Sequence, residues 1–379
     1  MLLTALAFLV GFLPFALYRS CRAVVFPLRT SKPHVDLTFS PNKLTIRDVV
    51  VVIILLIARS IGQVVRQDRY KSAIVNNESK GSSSQDTSAP ALTLTMPLEM
   101  GEDDVQLYTK AVADKADIST VPGHMLLAMS AIIEPAMLLL LGKKGCPVLP
   151  LGAVNVRNRF ELSCPRECRK ALAGELKTLA VKAALRPEVH KVKRGFEYDL
   201  TLEVVSIDPK SNRLSSIYRQ TFTLLQFVKH HLTTEEVDPV SRPPSDIGVK
   251  HQTPSTTDTT VHIASNEPRL WAALCKDYNP IHISAFAAKL YGFPRKIAHG
   301  NHAVAKAIDA LSEMTNGPLQ HMWYGQHDRP IWLEVAFKRP MQVPADLSIA
   351  LREDQSPDIV AFDIVRGGKV HVEARAGFM

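Results

Sequence analysis

Asp277 and His282 stand five residues apart in the stretch LCKDYNPIHISAFAA, residues 274–288. A carboxylate and an imidazole can take and return protons near neutral pH, so the two held together could activate a water molecule. The residues between them favour that meeting. Pro280 disfavours helix at Asn279, so a helix running from about Arg269 is expected to end near Asp277. Asn279 then suits the N-cap of a new helix, with Pro280 at its first position. His282 falls in the first turn, where the positive helix end favours a neutral imidazole that can accept a proton. Asp277, just before the break, can turn towards the same space. An Asp before an Asn-Pro turn also serves as an ordinary capping residue, and a lone His is commonly structural; on spacing alone these readings stay open.

Downstream lies GFPRKIAHGNH, residues 292–302, followed by the Ala-rich run AVAKAIDALSEM. A helix starting there has unpartnered N–H groups in its first turn. Gly300 would let a ligand approach that backbone closely. Free N–H groups at such a place are what a thioester carbonyl needs when it becomes enolate-like. His230-His231 and His299/His302 are the clusters that could suggest a metal. No carboxylate or Cys is seen to complete a set with them, so no metal site is expected.

Two blocks must position these residues. A polar, Pro-rich stretch over 238–260 separates residues 91–237 from 261–379, and both parts show one pattern. In the first, a helix over 123–141 is followed by strand-like runs at 148–160, 176–185, 196–207 and 214–227. In the second, helical material to Met314 is followed by runs at 331–338, 346–351, 359–365 and 369–376. Alternation such as Tyr198, Leu200, Leu202 and Val204 suits a sheet with one face on a helix and one on water. Gly367-Gly368 signals a hairpin. The expected class is α+β, a long helix then antiparallel strands, twice over, with a sheet wrapped round a central helix as one way to build it.

The amino-terminal part differs. Residues 1–18 are apolar and uncharged, about 27 Å of helix and long enough to span a bilayer core. A second apolar run, 49–58, would reach only about 15 Å and reads as either a second span or an interfacial or buried helix. Residues 1–75 are therefore expected to anchor the chain to a membrane, and 76–90, NNESKGSSSQDTSAP, to form a flexible linker. The formal charge is +8, but eleven basic against four acidic residues up to Lys80 account for nearly all of it. The remainder is almost neutral and has no basic stripe with interleaved aromatics, which argues against nucleic acid as a partner. Five scattered cysteines do not make a disulfide framework and favour a reducing compartment, with the catalytic part on the cytosolic side.

The segment Asp277-Tyr278-Asn279-Pro280-Ile281-His282, with Ala288, Gly292-Phe293 and Ile297-Ala298-His299-Gly300, resembles the hydratase motif of MaoC-like dehydratases. These are (R)-specific enoyl-thioester hydratases, or 3-hydroxyacyl-thioester dehydratases, of hotdog fold. LPLGAVNVRNRFEL (149–162) and KRGFEYDLTLEV (193–204) resemble, more weakly, the non-catalytic half of double-hotdog members. The resemblance covers about 100–379. It implies a double hotdog, with 91–237 a non-catalytic half that shapes an acyl tunnel and 261–379 the catalytic half. It implies that Asp277 and His282 activate the water that adds to C3 of a trans-2-enoyl thioester, that Asn279 orders the turn, and that the Gly300 N–H polarises the thioester carbonyl. The family usually has Gly where Lys276 stands and Met where Asn301 stands.

The expected activity is reversible hydration of enoyl thioesters in fatty-acid or related acyl metabolism. A hotdog thioesterase and a non-catalytic acyl-thioester-binding membrane protein are the rivals. The substrate would arrive on CoA or an acyl-carrier protein, with no other cofactor, and a homodimer is a further expectation.

Overall fold

The structure, a computed structural model, describes residues 22–64, 91–113, 118, 121–150, 152–207, 213–227, 255–314, 328–352, 354, 356 and 358–379. In chain order these form α1 (Arg22–Arg29), β1 (His34–Asp36), α2 (Ile46–Val64), β2 (Leu92–Pro97), α3 (Glu102–Val112), α4 (Pro122–Gly142), β3 (Ala153–Leu162), α5 (Pro165–Leu172), β4 (Leu179–Val192), β5 (Gly195–Ile207) and β6 (Leu214–Phe227). Then follow β7 (Ser255–Ile263), α6 (Glu267–Cys275), α7 (Pro280–Ile283), α8 (Ala285–Leu290), α9 (Gly300–Ser312), β8 (Ile331–Phe337), β9 (Ala345–Arg352), β10 (Ile359–Arg366) and β11 (Lys369–Phe378).

One eleven-stranded sheet carries the order β1-β2-β4-β5-β6-β3-β8-β11-β10-β9-β7. All neighbours are antiparallel except β1 and β2. Apart from β1, which has no counterpart, the order is its own mirror about the β3–β8 seam. On one side β2 precedes the long helix α4 and β3 to β6 follow it; on the other β7 precedes α9 and β8 to β11 follow it. Each half is thus a strand, a helix and four strands, and the strand directly after each helix pairs with its counterpart, Arg157 opposite Ala336 through Leu162 opposite Ile331. This is a double hotdog.

The helix α4, PGHMLLAMSAIIEPAMLLLLG, is apolar on every side, the mark of a helix enclosed all round. Among the described residues it is the single helix long and apolar enough to cross a membrane by length and composition, and nearly all of it is buried in the core. The apolar faces of α4, α9 and the sheet meet in one continuous core that includes Met125, Leu139, Phe160, Phe222, Trp271 and Ile308. Gly367 and Gly368 both have positive φ, 54° and 71°, and close the β10–β11 hairpin. Ser255–Ile263, part of which sequence reading placed in a linker, is instead the outermost strand, paired with β9.

The membrane-anchoring reading of residues 1–75 needs correction where the structure describes it. Residues 49–58 lie within α2, and α2 is a packed element of the fold. Val49, Val52 and Leu56 join the main core, while Val51 and Leu55 pack with Val25 of α1. The Arg59 guanidinium donates to the carbonyls of Leu141, Cys146 and Val148 at the end of α4. A helix held on two sides in this way is not a second span. Residues 1–18 and 76–90 lie outside the described residues.

Candidate active site

The local backbone at the motif follows its punctuation. Helix α6 stops at Cys275, and Lys276, its C-cap, takes the left-handed conformation at φ 56°, ψ 9°. It is the one non-glycine residue with positive φ among the described residues. That conformation costs an L-residue about 1–2 kcal/mol, which accounts for Gly at this position in the motif. The Lys276 ammonium donates back to the Ala273 carbonyl at 2.8 Å. Asn279 caps α7, its side chain accepting from the Ile281 N–H at 3.3 Å, with Pro280 in the first position. The Asp277 carboxylate accepts from the Asn279 N–H at 3.2 Å, so the turn holds it in place.

Asp277 and His282 are brought together. Asp277 Oδ2 lies 4.0 Å from His282 Nε2. Across the ring, His282 Nδ1–H donates to the Ile297 carbonyl at 2.8 Å. A carbonyl can only accept, so Nδ1 carries the proton and Nε2 faces the carboxylate with a lone pair. The imidazole is buried, and burial is the first cause that holds its pKa below the usual histidine range, partly offset by the Asp277 charge. Sequence reading ascribed a neutral ring to a helix end; α7 is a single turn, and burial is the first cause that lowers the pKa of His282.

His299 completes the group. Its ring stacks on His282 with centroids 3.8 Å apart and 26° between planes. Its Nε2–H donates to the Asp277 carbonyl at 3.1 Å, and Asp277 Oδ2 is 3.8 Å from the same nitrogen. Burial and the adjoining imidazole push its pKa well down. Asp277, His282 and His299 offer ligand atoms within 4.8 Å of one another. The sequence reading paired His299 with His302 and saw no carboxylate to complete a set; the structure gives His299 that carboxylate. With His299 Nε2–H bonded to a backbone carbonyl, the free pair is His282 Nε2 and the Asp277 carboxylate, an arrangement suited to proton transfer. His302 is elsewhere engaged: Nε2–H donates to the Ala111 carbonyl at 2.8 Å, and the ring stacks on Trp271.

Gly300 opens α9, with His299 as N-cap. Among the described residues no acceptor is bonded to the Gly300 N–H. The need for glycine there is also steric, because a Cβ would overlap the Phe337 ring of β8. Asn301, where the family motif has Met, ties the halves together. Its Oδ1 accepts from Asn158 of β3 at 2.7 Å and its Nδ2 donates to Ser130 of α4 at 3.3 Å.

Glu134, one turn beyond Ser130 on α4, was missed in the sequence. It is buried, and its Oε2 has no hydrogen-bond partner. Burial, then the charge of Asp277, raises its pKa well above the ordinary carboxylate value. The signal was present: apart from His124, Glu134 is the one titratable side chain in the 21 residues of α4. The first half thus supplies polar groups, Ser130 and Asn158, that bond Asn301 next to Gly300.

The comparisons agree with this geometry. Residues 246–323 match the model of the MaoC like domain, a stretch that contains Asp277, His282, His299 and Gly300. A protein from Mycobacterium tuberculosis named 3-hydroxyacyl-thioester dehydratase X is 24% identical over 239 residues, 62% of this chain and 73% of the relative. The crystal structure of HtdX of Mycobacterium tuberculosis superposes with a TM-score of 0.51 at 20% identity, over 76% of this chain and 100% of that one. A MaoC-like dehydratase from Phytophthora capsici gives 0.55 at 15% identity, over 77% and 95%. These two likenesses speak to the fold.

Proposed function

We propose that the protein is a hydro-lyase that reversibly hydrates trans-2-enoyl thioesters to (R)-3-hydroxyacyl thioesters. The observation that carries this is the facing pair, the Asp277 carboxylate and the lone pair on His282 Nε2, 4.0 Å apart. A water held between them would be polarised from both sides. As its oxygen bonds to C3, one of its protons passes to the pair, and the enolate formed takes a proton at C2. Carbon gains H and OH, and no other group is consumed. The Gly300 N–H would receive the thioester oxygen while it bears enolate charge. Asn279 holds the turn that presents both groups. General acid–base help of this kind contributes roughly 10²–10⁴ in rate. Burial and the Asp277 charge both favour the protonated form of Glu134.

The 3-hydroxyacyl-thioester dehydratase name of the Mycobacterium tuberculosis relative favours the same chemistry. On this reading the acyl group arrives on CoA or an acyl-carrier protein, no further cofactor is required, and two chains assemble as a homodimer. The four cysteines among the described residues are thiols, which favours a cytosolic catalytic part on a membrane-associated chain.

Incubation with crotonyl-CoA tests the reading. Hydration bleaches the enoyl absorbance without releasing thiol. Release of thiol would identify a thioesterase, and binding with neither change would identify a non-catalytic acyl-thioester binder.

A further inference from the structure

Helix α2 is aliphatic on all sides, yet only two of its three faces are covered. Val49, Val52 and Leu56 face the main core, and Val51 and Leu55 face α1. The third face carries Ile46, Val50, Ile54 and Ile57, and all four are exposed, Ile46 and Ile54 by more than half. Their spacing of three and four residues makes one continuous stripe over four positions of a 19-residue helix. Phe26 on the neighbouring α1 is 62% exposed as well. A water-facing stripe of this kind marks a contact surface.

Charge indicates the partner. Residues 22–64 contain six Lys or Arg against two Asp or Glu. Arg22, Arg29, Lys32 and Arg47 are exposed, on α1, just after it and on α2. Exposed aliphatic side chains on elements that also carry exposed cations match a leaflet with acyl chains inside and anionic headgroups outside. The sequence just before α1, residues 1–18, is uncharged and apolar and ends one residue before Arg19. The packing of α2 on two sides excludes its crossing the bilayer, so it would lie in the plane of the interface.

We propose that α1 and α2 form a lipid-docking face that seats the protein on an anionic membrane surface, with Ile46, Val50, Ile54 and Ile57 immersed at headgroup depth. The site residues Asp277 and His282 belong to other elements, so this inference stands or falls independently of the proposed chemistry.

The test uses full-length protein bearing a nitroxide on a single cysteine introduced in turn at positions 46, 50, 54 and 57. Vesicles of phosphatidylcholine, with and without about 30% phosphatidylserine, are then added. All four labels should become shielded from a water-soluble relaxant and accessible to oxygen, at one shallow depth and only with the anionic vesicles. The variant Val50→Glu/Ile54→Glu/Ile57→Glu should lose anionic-vesicle binding by at least about tenfold while its melting temperature stays unchanged. Labels that remain in water overturn the proposal. So does a depth that increases steadily along α2, the mark of a span, and so does shielding before vesicles are added, which would show the stripe covered by the chain itself or a second copy. Undiminished anionic binding by the triple variant overturns it too.

Discussion

The imidazoles of His282 and His299 lie stacked 3.8 Å apart, and each directs a different nitrogen arrangement at Asp277. His282 presents a bare Nε2 to the carboxylate, whereas His299 spends its Nε2–H on the Asp277 carbonyl. Two rings in contact cannot both be charged without mutual repulsion, and His282 is, after burial, the next cause that lowers the pKa of His299. The family motif marks His299 mainly as the residue before Gly300; the geometry makes it the ring stacked against His282.

Asp277→Asn and His282→Ala should each lower kcat by at least about 10²-fold with the fold intact, because each removes one side of the water-activating pair. The double variant should be little worse than either single one. Turnover of crotonyl-CoA measures this, and near-normal turnover in either single variant would remove the pair from the mechanism.

Lys276 occupies a left-handed backbone position that glycine adopts without strain. Lys276→Gly should therefore leave stability unchanged or raise it by up to about 1 kcal/mol, whereas Lys276→Val should lower it by more than about 1 kcal/mol. Urea denaturation distinguishes the two, and a Val variant as stable as the parent contradicts the strain argument.

Gly300→Ala should destabilise the protein and abolish turnover, since the new methyl overlaps the Phe337 ring. Adding Phe337→Ala opens space for it. If glycine is required for packing, the double variant recovers its melting temperature; if close approach of the thioester is also required, turnover stays low in that refolded variant.

Acid should destabilise the fold through its buried imidazoles. His282, His299 and His302 all have folded-state pKa values below the unfolded value of about 6.5, with His302 lowered to about 4 by burial. Between those values the unfolded chain binds more protons than the folded one, so stability rises with pH there and is lost as pH falls from about 6.5 towards 4. Each such group adds a slope of up to about 1.4 kcal/mol per pH unit. His302→Gln, which keeps a donor for the Ala111 carbonyl, should flatten the dependence of melting temperature on pH between about 7.5 and 5.

What sequence could reveal divides along the range of the physics. The α6–α7 break was legible because Asn279-Pro280 acts on its immediate neighbours, and Gly367-Gly368 marked its hairpin for the same reason. The strand over 214–227 was readable from alternation. Glu134, Ser130 and Asn158 were not, because more than a hundred residues separate them from Asp277 and Asn301 and only the fold joins them. Strand β7, STTDTTVHI, was partly read as linker because its polar composition suits an edge strand. Its threonines are β-branched, and that was the overlooked sign. The aliphatic run in α2 was ambiguous by nature, since lipid and protein core select the same side chains.

The β3–β8 seam has a consequence for how such a site can change over time. Where two identical chains join along equivalent strands, every substitution appears twice, and a residue that improves one partner's pocket must be tolerated in the other. Here the two halves are encoded separately. Ser130 and Glu134 stand on α4, with no obligation for α9 to carry the same groups, and Asp277 and His282 have no duplicate to maintain. Joining the halves has separated their inheritance, leaving the first free to specialise as the complement of the second.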